Sequence, residues 1–110
     1  MERAAGAASE LLKALANPHR LMIVCRLVEA EQSVGELAEG LGIRDSTVSQ
    51  HLALLRRDRL VNARRDGQTI WYSIASEPAR AVLEALFRVY CVPGRSAGAV
   101  ARAVNQHRPP

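Results

Sequence analysis

The chain of 110 residues has few aromatic side chains, a single lysine and only two cysteines. Aromatic residues make up 4% of it, so we expect a core of leucine, valine, alanine and isoleucine, as in small helix-rich domains. No apolar run approaches the roughly 20 residues needed to cross a bilayer, and the N-terminus lacks a signal-peptide stretch. The sequence therefore predicts a cytoplasmic protein that does not enter a membrane.

Motifs typical of catalysis are also absent from the sequence. There is no C-x-x-C pair, no glycine-rich phosphate loop and no arrangement of carboxylates and histidines that suggests turnover. Zinc sites usually need a full set of nitrogen or sulfur ligands, and the two cysteines and three histidines lie far apart in sequence. We therefore expect no enzyme, no cofactor and no metal site within one subunit.

Positive charge is concentrated in the middle of the chain. Fifteen basic and eleven acidic residues give a net charge of +4, and residues 44–66 alone carry six arginines against three aspartates. A local excess of this kind fits a polyanionic partner, because neutralising phosphates releases condensed counterions. A merely solvated arginine-rich surface is the alternative interpretation. The six arginines are Arg44, Arg56, Arg57, Arg59, Arg64 and Arg65.

Local signals predict two helices in the first part of the chain. Leucines recur at helical spacing over residues 5–16. Asn17 and Pro18 then end that helix and start a second one, with Asn17 as its N-cap and the proline in its first turn. We expect the second helix to run to about Ala30.

Two further short-range patterns predict a pair of helices joined by a tight turn. Ser33 and Glu36 form an S-x-x-E capping box for a short third helix that ends at one of the glycines at positions 40 and 42. A fourth helix follows after a few residues. Asp45 or Ser46 is expected to cap it, because a side-chain oxygen there accepts an otherwise unpaired amide hydrogen bond.

The fourth helix, within the stretch "STVSQHLALLRRDRLV", has two distinct faces. Its apolar face carries Val48, Leu52 and Leu55. The opposite face suits a major groove, where glutamine pairs bidentately with adenine and arginine with guanine or phosphate. Solvent-facing positions of a packing helix are the alternative interpretation of this second face, which consists of Ser46, Gln50, Ala53 and Arg57.

The residues after Arg59 change to β-type periodicity. Residues 60–61 and 69–74 lie on either side of Asp66-Gly67, a strong hairpin signal. We therefore expect a two-stranded β-ribbon, which beside the helix pair makes a helix-turn-helix with a wing. A winged helix that contacts only proteins is an alternative.

A last helix completes the predicted order, which is mainly α with a two-stranded β-wing, α-α-α-α-β-β-α. Ser76 and Pro78 begin this helix and Pro93-Gly94 ends it. We expect a winged-helix domain for DNA binding and dimerisation over residues 1–94. Residues 95–110 have weak apolar patterning and are expected to form a flexible tail.

Three segments carry a resemblance to a known family: "LKALANPHRLMIVCRLVE", "SVGELAEGLGIRDSTVSQHLALLRRDRLV" and "RRDGQTIWYSI". Over about residues 10–91 the chain resembles the ArsR/SmtB winged-helix repressors. The resemblance implies a homodimer through the first and last helices that represses its target promoters. Because a two-fold protein matches a two-fold site, we expect its double-stranded DNA operator to contain an inverted repeat. The resemblance further implies that an inducer lowers DNA affinity. Candidate interface residues are Leu11, Leu15, Leu83 and Phe87.

The resemblance also implies which residues meet DNA. Positions in the fourth helix would enter the groove, with Thr47 and Ser49 assigned mainly to phosphate, and positions in the wing would support phosphate or minor-groove contact. His51 leans towards the core side and is expected to be buried and hydrogen-bonded. The DNA-binding candidates are Arg44, Ser46, Thr47, Ser49, Gln50, Arg57, Arg64, Arg65 and Gln68.

The two cysteines raise the question of what the protein senses. From the residues alone, Cys25 and Cys91 are small hydrophobes of a core. The pair resembles the dithiol sensors of the same family, which implies a redox-sensing pair that responds to persulfide or another thiol oxidant. The third and last helices lack the cysteine, acid and histidine patterns of the family's metal sensors. A metal site between subunits is the alternative.

Overall fold

The computed structural model describes residues 2–90, which form helices around a small antiparallel sheet. The predicted C-terminal boundary at residue 94 and the tail over 95–110 lie outside the described residues. The helices are α1 (Glu2–Leu15), α2 (Pro18–Glu29), α3 (Val34–Leu41), α4 (Asp45–Arg57) and α5 (Glu77–Tyr90). The strands are β1 (Gln32–Ser33), β2 (Val61–Asp66) and β3 (Thr69–Ile74).

The caps predicted for α2 and α3 are confirmed. The Asn17 side chain accepts a hydrogen bond of 3.1 Å from the backbone N–H of Arg20, which is one of the unpaired donors at the start of α2. Ser33 and Glu36 form the reciprocal capping box, with hydrogen bonds of 3.2 and 3.1 Å. These short-range bonds fix where both helices begin.

The turn between α3 and α4 contains Gly42, whose φ of 68° lies in the left-handed region that favours glycine. The predicted cap of α4 is wrong. The helix includes Asp45 as its first residue, so Arg44 occupies the N-cap position, and its guanidinium makes no capping hydrogen bond because it has no acceptor atom. The carboxylate of Asp45 then lies in the first turn, where it interacts favourably with the helix dipole.

The hairpin forms as predicted, with Gly67 at a φ of 64° in its two-residue loop. However, the sheet has three strands in the order β1-β3-β2, so the expected two-stranded ribbon is incomplete. The added strand pairs Gln32 with Tyr72 and Ser33 with Trp71. Two residues are too few for an alternating sequence pattern, and tertiary packing alone brings them to β3.

The core sits beneath α4 and is contributed by all five helices and β2. Leu15 and Leu83, predicted at a dimer interface, are 6% and 0% exposed inside the single subunit, so that assignment is wrong for both. They complete the core of their own chain instead. Leu11 and Phe87 pack against the same core while remaining partly exposed.

The junction between α4 and β2 is a tight helix ending. The backbone N–H of Leu60 donates to the carbonyl of Leu55 at 2.9 Å, and that of Arg59 donates to the carbonyl of Arg56 at 3.0 Å. Both leucines are buried, as in a Schellman motif. Arg59 takes the left-handed position, with a φ of 62°. This ending sets the direction in which the wing leaves α4.

Candidate nucleic-acid interface

Helix α4 lies with one face in the core and the other in solvent. Val48, Leu52 and Leu55 are each 0% exposed, which anchors the helix along three successive turns. On the opposite side the predicted groove-facing residues Ser46, Ser49, Gln50, Ala53 and Arg57 are exposed, while Thr47 is half-buried. The exposed side chains are short apart from the glutamine and arginine, so a partner can approach the backbone of α4 closely.

The ends of α4 and the wing carry exposed arginine side chains. Arg44, Arg65 and Gln68 are all exposed. Within residues 2–90, neither Arg44 nor Arg65 forms an ion pair or a side-chain hydrogen bond. Arg57 differs, since its Nε donates to Oδ1 of Asp58 at 3.2 Å. Among the described residues, two guanidinium groups without a partner therefore lie at the start of α4 and in the wing.

Arg64 is held by acidic side chains, which the sequence did not predict. Its Nη2 donates to Oε1 of Glu31 at 2.6 Å and its Nε donates to Oε2 at 3.1 Å, while Nη1 lies 3.9 Å from Oδ2 of Asp66. The hydrogen bond lowers the pKa of the Glu31 carboxyl and raises that of the Arg64 guanidinium. The two partners lie 33 residues apart, so no local sequence signal could have paired them.

His51 of α4 packs against the start of α2. Its ring meets that of His19 edge-to-face, with 5.6 Å between centroids and 71° between planes. The expected hydrogen bond is missing at Nδ1, which is buried without a partner in the described part of the chain. Burial lowers the pKa of His51, and the charges of Arg20 and His19 lower it further, so the neutral ring is favoured here.

Cys25 lies in the core, 1% exposed, between α2 residues that are themselves buried. Cys91 lies outside the described residues, so the geometry of the predicted pair is not part of this structure. The neighbouring Arg26 reaches towards α3 and β1, where its Nε donates to the side chain of Gln32 at 3.3 Å.

Among residues 2–90, no three His, Cys, Asp or Glu side chains are grouped as metal ligands would be. None of the described helices has the length and hydropathy needed to cross a membrane.

Comparison with known proteins shows to which protein family this helix-turn-helix and hairpin belong. The profile of the arsR family of bacterial regulatory proteins matches residues 17–63. The transcriptional activator HlyU of Vibrio cholerae is 50% identical over 91 residues, which cover 83% of this chain and 84% of the relative. The chain belongs to the ArsR family. A biofilm growth-associated repressor of Agrobacterium fabrum is 44% identical over 84% of this chain and 80% of its own.

Solved structures agree with this assignment. Reduced HlyU from Vibrio cholerae superposes with a TM-score of 0.81 at 49% identity, covering 84% of this chain and 97% of that one. A homodimeric winged helix-turn-helix DNA-binding domain from Mycobacterium bovis gives a TM-score of 0.71 at 32% identity, covering 80% and 82%. The predicted family and winged-helix fold are thereby confirmed. This ArsR-family protein is a DNA-binding transcriptional regulator whose helix-turn-helix is α3 and α4 and whose wing is β2 and β3.

Proposed function

We propose that this regulator is a homodimeric repressor of an inverted-repeat operator, released when a Cys25/Cys91 dithiol is oxidised by a persulfide or a related oxidant. The observation that carries the DNA-binding part is the exposed polar face of α4, together with Arg44 at the start of that helix and Arg65 in the wing, both exposed and without an ion pair among the described residues. A face of this kind combines base-reading and phosphate-binding groups, which are the two requirements of operator recognition.

The roles of Gln50 and Arg65 can be separated by experiment. Gln50→Ala should weaken operator binding by roughly 1–3 kcal/mol and relax sequence preference, because a bidentate base contact is lost. Arg65→Ala should weaken binding to all duplexes and reduce the salt slope by about one unit, because one phosphate contact is lost. Arg3→Ala removes the same charge from an exposed part of α1, away from α4 and the wing, and is the charge-matched control once sedimentation shows that it keeps the oligomeric state of the wild type.

Fluorescence anisotropy on an operator duplex and on a random duplex, each titrated over a range of salt, measures both effects. The operator can be selected from a random-sequence pool with the wild-type protein. Equal losses on both duplexes for Gln50→Ala would remove this residue from base recognition. A repressor should also lower transcription from a reporter promoter that carries the selected operator, whereas an activator would raise it.

The surface formed by α1 and α5 supports a homodimer. Residues 2–10 of α1 are exposed along their whole length, and Leu12 of the same helix is 57% exposed. Near the end of α5, Val89 is 73% exposed. Burying such apolar surface against a second copy is favourable. A two-fold dimer presents two α4 helices, which matches an operator of two inverted half-sites.

The proposed redox step balances in sulfur, hydrogen and electrons. One protein thiolate attacks the outer sulfur of a low-molecular-weight persulfide RSSH, which gives a protein persulfide and releases RSH. The second thiolate attacks the inner, protein-bound sulfur, which gives the Cys25–Cys91 disulfide and releases hydrogen sulfide. The two thiols lose two electrons and the persulfide gains them. In a reducing cytoplasm such a disulfide is transient, as a signal requires.

The position of Cys25 supports a coupling from this disulfide to DNA. Helix α2, which contains Cys25, packs against both α4 and α5, and Cys91 follows Tyr90 of α5 in sequence. A covalent tie between α2 and the residue after α5 would therefore change the setting of α4 within the dimer. A shift costing about 1.4 kcal/mol lowers DNA affinity tenfold, which lies within the usual range of allosteric coupling.

Cysteine variants test this part of the proposal independently of DNA recognition. Cys25→Ser and Cys91→Ser should each bind the operator like the reduced wild type and should each lose the response to persulfide. Because Cys25 is buried, Cys25→Ala serves as a second variant that adds no polar group to the core. Mass spectrometry should detect the Cys25–Cys91 bridge in the wild type alone. Release of the double variant by persulfide would overturn the dithiol, and release of the wild type by stoichiometric zinc would identify a metal sensor instead.

A further inference from the structure

The ion pair between Glu31 and Arg64 stands out by its geometry. Within residues 2–90 it is the one ion pair in which two guanidinium nitrogens donate to two carboxylate oxygens of the same partner, at 2.6 and 3.1 Å. Exposed ion pairs usually contribute little, but a bidentate arginine–carboxylate pair is the geometry in which they hold two segments in a fixed relation. Both side chains are exposed, 55% for Arg64 and 36% for Glu31, so the bidentate geometry and not burial distinguishes this pair.

The pair joins the wing to the entry of the helix-turn-helix. Glu31 lies between α2 and β1, two residues before Ser33, the N-cap of α3. Arg64 lies in the middle of β2, on the far side of the central strand β3. Two strand spacings separate β1 from β2, about 10 Å, so the two side chains reach each other across β3. Arg64 pairs in register with Trp71 of β3, so the ion pair crosses the sheet on the face that carries this tryptophan.

The neighbouring arginine of the same strand is placed differently. Side chains alternate along a strand, so Arg65 points to the face opposite Arg64, the face that carries the buried Val61 nearer the start of β2. Among the described residues no carboxylate pairs with Arg65. Arg64, in contrast, has Glu31 on one edge and Asp66 3.9 Å from Nη1. The Arg65 guanidinium can therefore bind a phosphate, whereas the Arg64 guanidinium is already occupied by carboxylates.

We propose that Arg64 is a positioning residue, locked to Glu31 so that the wing keeps a fixed distance from α4, and that Arg65 makes the wing's phosphate contact. This inference rests on the proposed DNA-binding function and reassigns Arg64 within it. Operator binding needs the α4 contacts and the wing contacts at the same time, whereas random DNA is held mainly by charge. The Glu31–Arg64 pair therefore contributes to operator preference, not to general DNA affinity.

Two substitutions that change the net charge in opposite directions give the sharpest test. Glu31→Gln raises the net charge by one, and Arg64→Gln lowers it by one. If Arg64 only positions the wing, both variants should weaken operator binding, each about threefold, and the double variant should be no weaker than either. Their salt slopes should equal that of the wild type. The charge-reversed pair Glu31→Arg/Arg64→Glu should recover part of the operator affinity. Arg65→Gln, the charge-matched control in the same strand, should lose about one unit of salt slope.

The opposite pattern would overturn the inference. If Arg64 contacts phosphate, Arg64→Gln loses about one unit of salt slope, and Glu31→Gln tightens binding to operator and random duplexes alike, because it frees the guanidinium. Anisotropy titrations between about 50 and 200 mM salt separate the two patterns. A wild-type protein that binds no duplex would overturn the proposed function together with this inference. A wild type that binds DNA, combined with a slope loss in Arg64→Gln, would overturn only the positioning role.

Discussion

Leu52→Ala tests how α4 is held against the core. Leu52 is 0% exposed in the middle of the helix, between Val48 and Leu55, which are equally buried. The substitution removes three carbon atoms, worth about 0.8 kcal/mol each in lost burial, or roughly 2.4 kcal/mol. The cavity left behind adds to this, so we expect a total loss of about 3–4 kcal/mol in the free energy of unfolding. This loss is roughly one fifth to four fifths of the free energy of unfolding of a typical small domain, which is about 5–15 kcal/mol.

Urea unfolding followed by far-UV circular dichroism measures this loss, with all variants at one protein concentration because a dimer's stability depends on it. The midpoint of thermal unfolding should fall by roughly 12–32 °C, at about 4–8 °C per kcal/mol for a domain of this size. Leu54→Ala is the matched control on the same helix, since Leu54 is half-buried and outside the core cluster. Leu54→Ala should lower the free energy of unfolding by about 1 kcal/mol or less. Equal losses for the two variants would refute the assignment of Leu52 as an anchor.

Three further changes test other parts of the structure. Gly42→Ala should lower the free energy of unfolding by about 1 kcal/mol, because alanine is strained at a φ of 68°. Gly35→Ala inside α3 is the control and should leave the free energy of unfolding unchanged or raise it. Equal effects of the two substitutions would contradict the role of Gly42. Because the pKa of His51 is lowered, the unfolded chain binds a proton that the folded chain does not, so stability should fall as the pH drops below about 6.5. His51→Gln should flatten this dependence in urea titrations, and an unchanged slope would exclude His51 as its cause. Leu12→Glu should shift sedimentation towards monomer, and an unaltered dimer would place the interface elsewhere.

Features built from neighbouring residues were determined by the sequence itself. Asn17 caps α2, and Ser33 with Glu36 caps α3, because these hydrogen bonds close over three residues and need no help from the rest of the chain. The hairpin at Gly67 formed where a glycine-containing two-residue loop predicts it. The apolar row of α4 likewise became its buried face, since helical spacing alone brings those positions together.

Contacts between distant segments were decided only by the tertiary structure. Strand β1 is two residues long and exists because β3 lies beside it. Glu31 meets Arg64 across β3, and His19 of α2 meets His51 of α4. The residues of each pair are more than 30 positions apart in the chain, so no local sequence pattern encodes either contact. The sequence also could not predict that Leu83 is buried within its own subunit, because an apolar stripe on a helix does not indicate which surface will cover it. Which arginine of the wing is free and which is locked follows from the same packing.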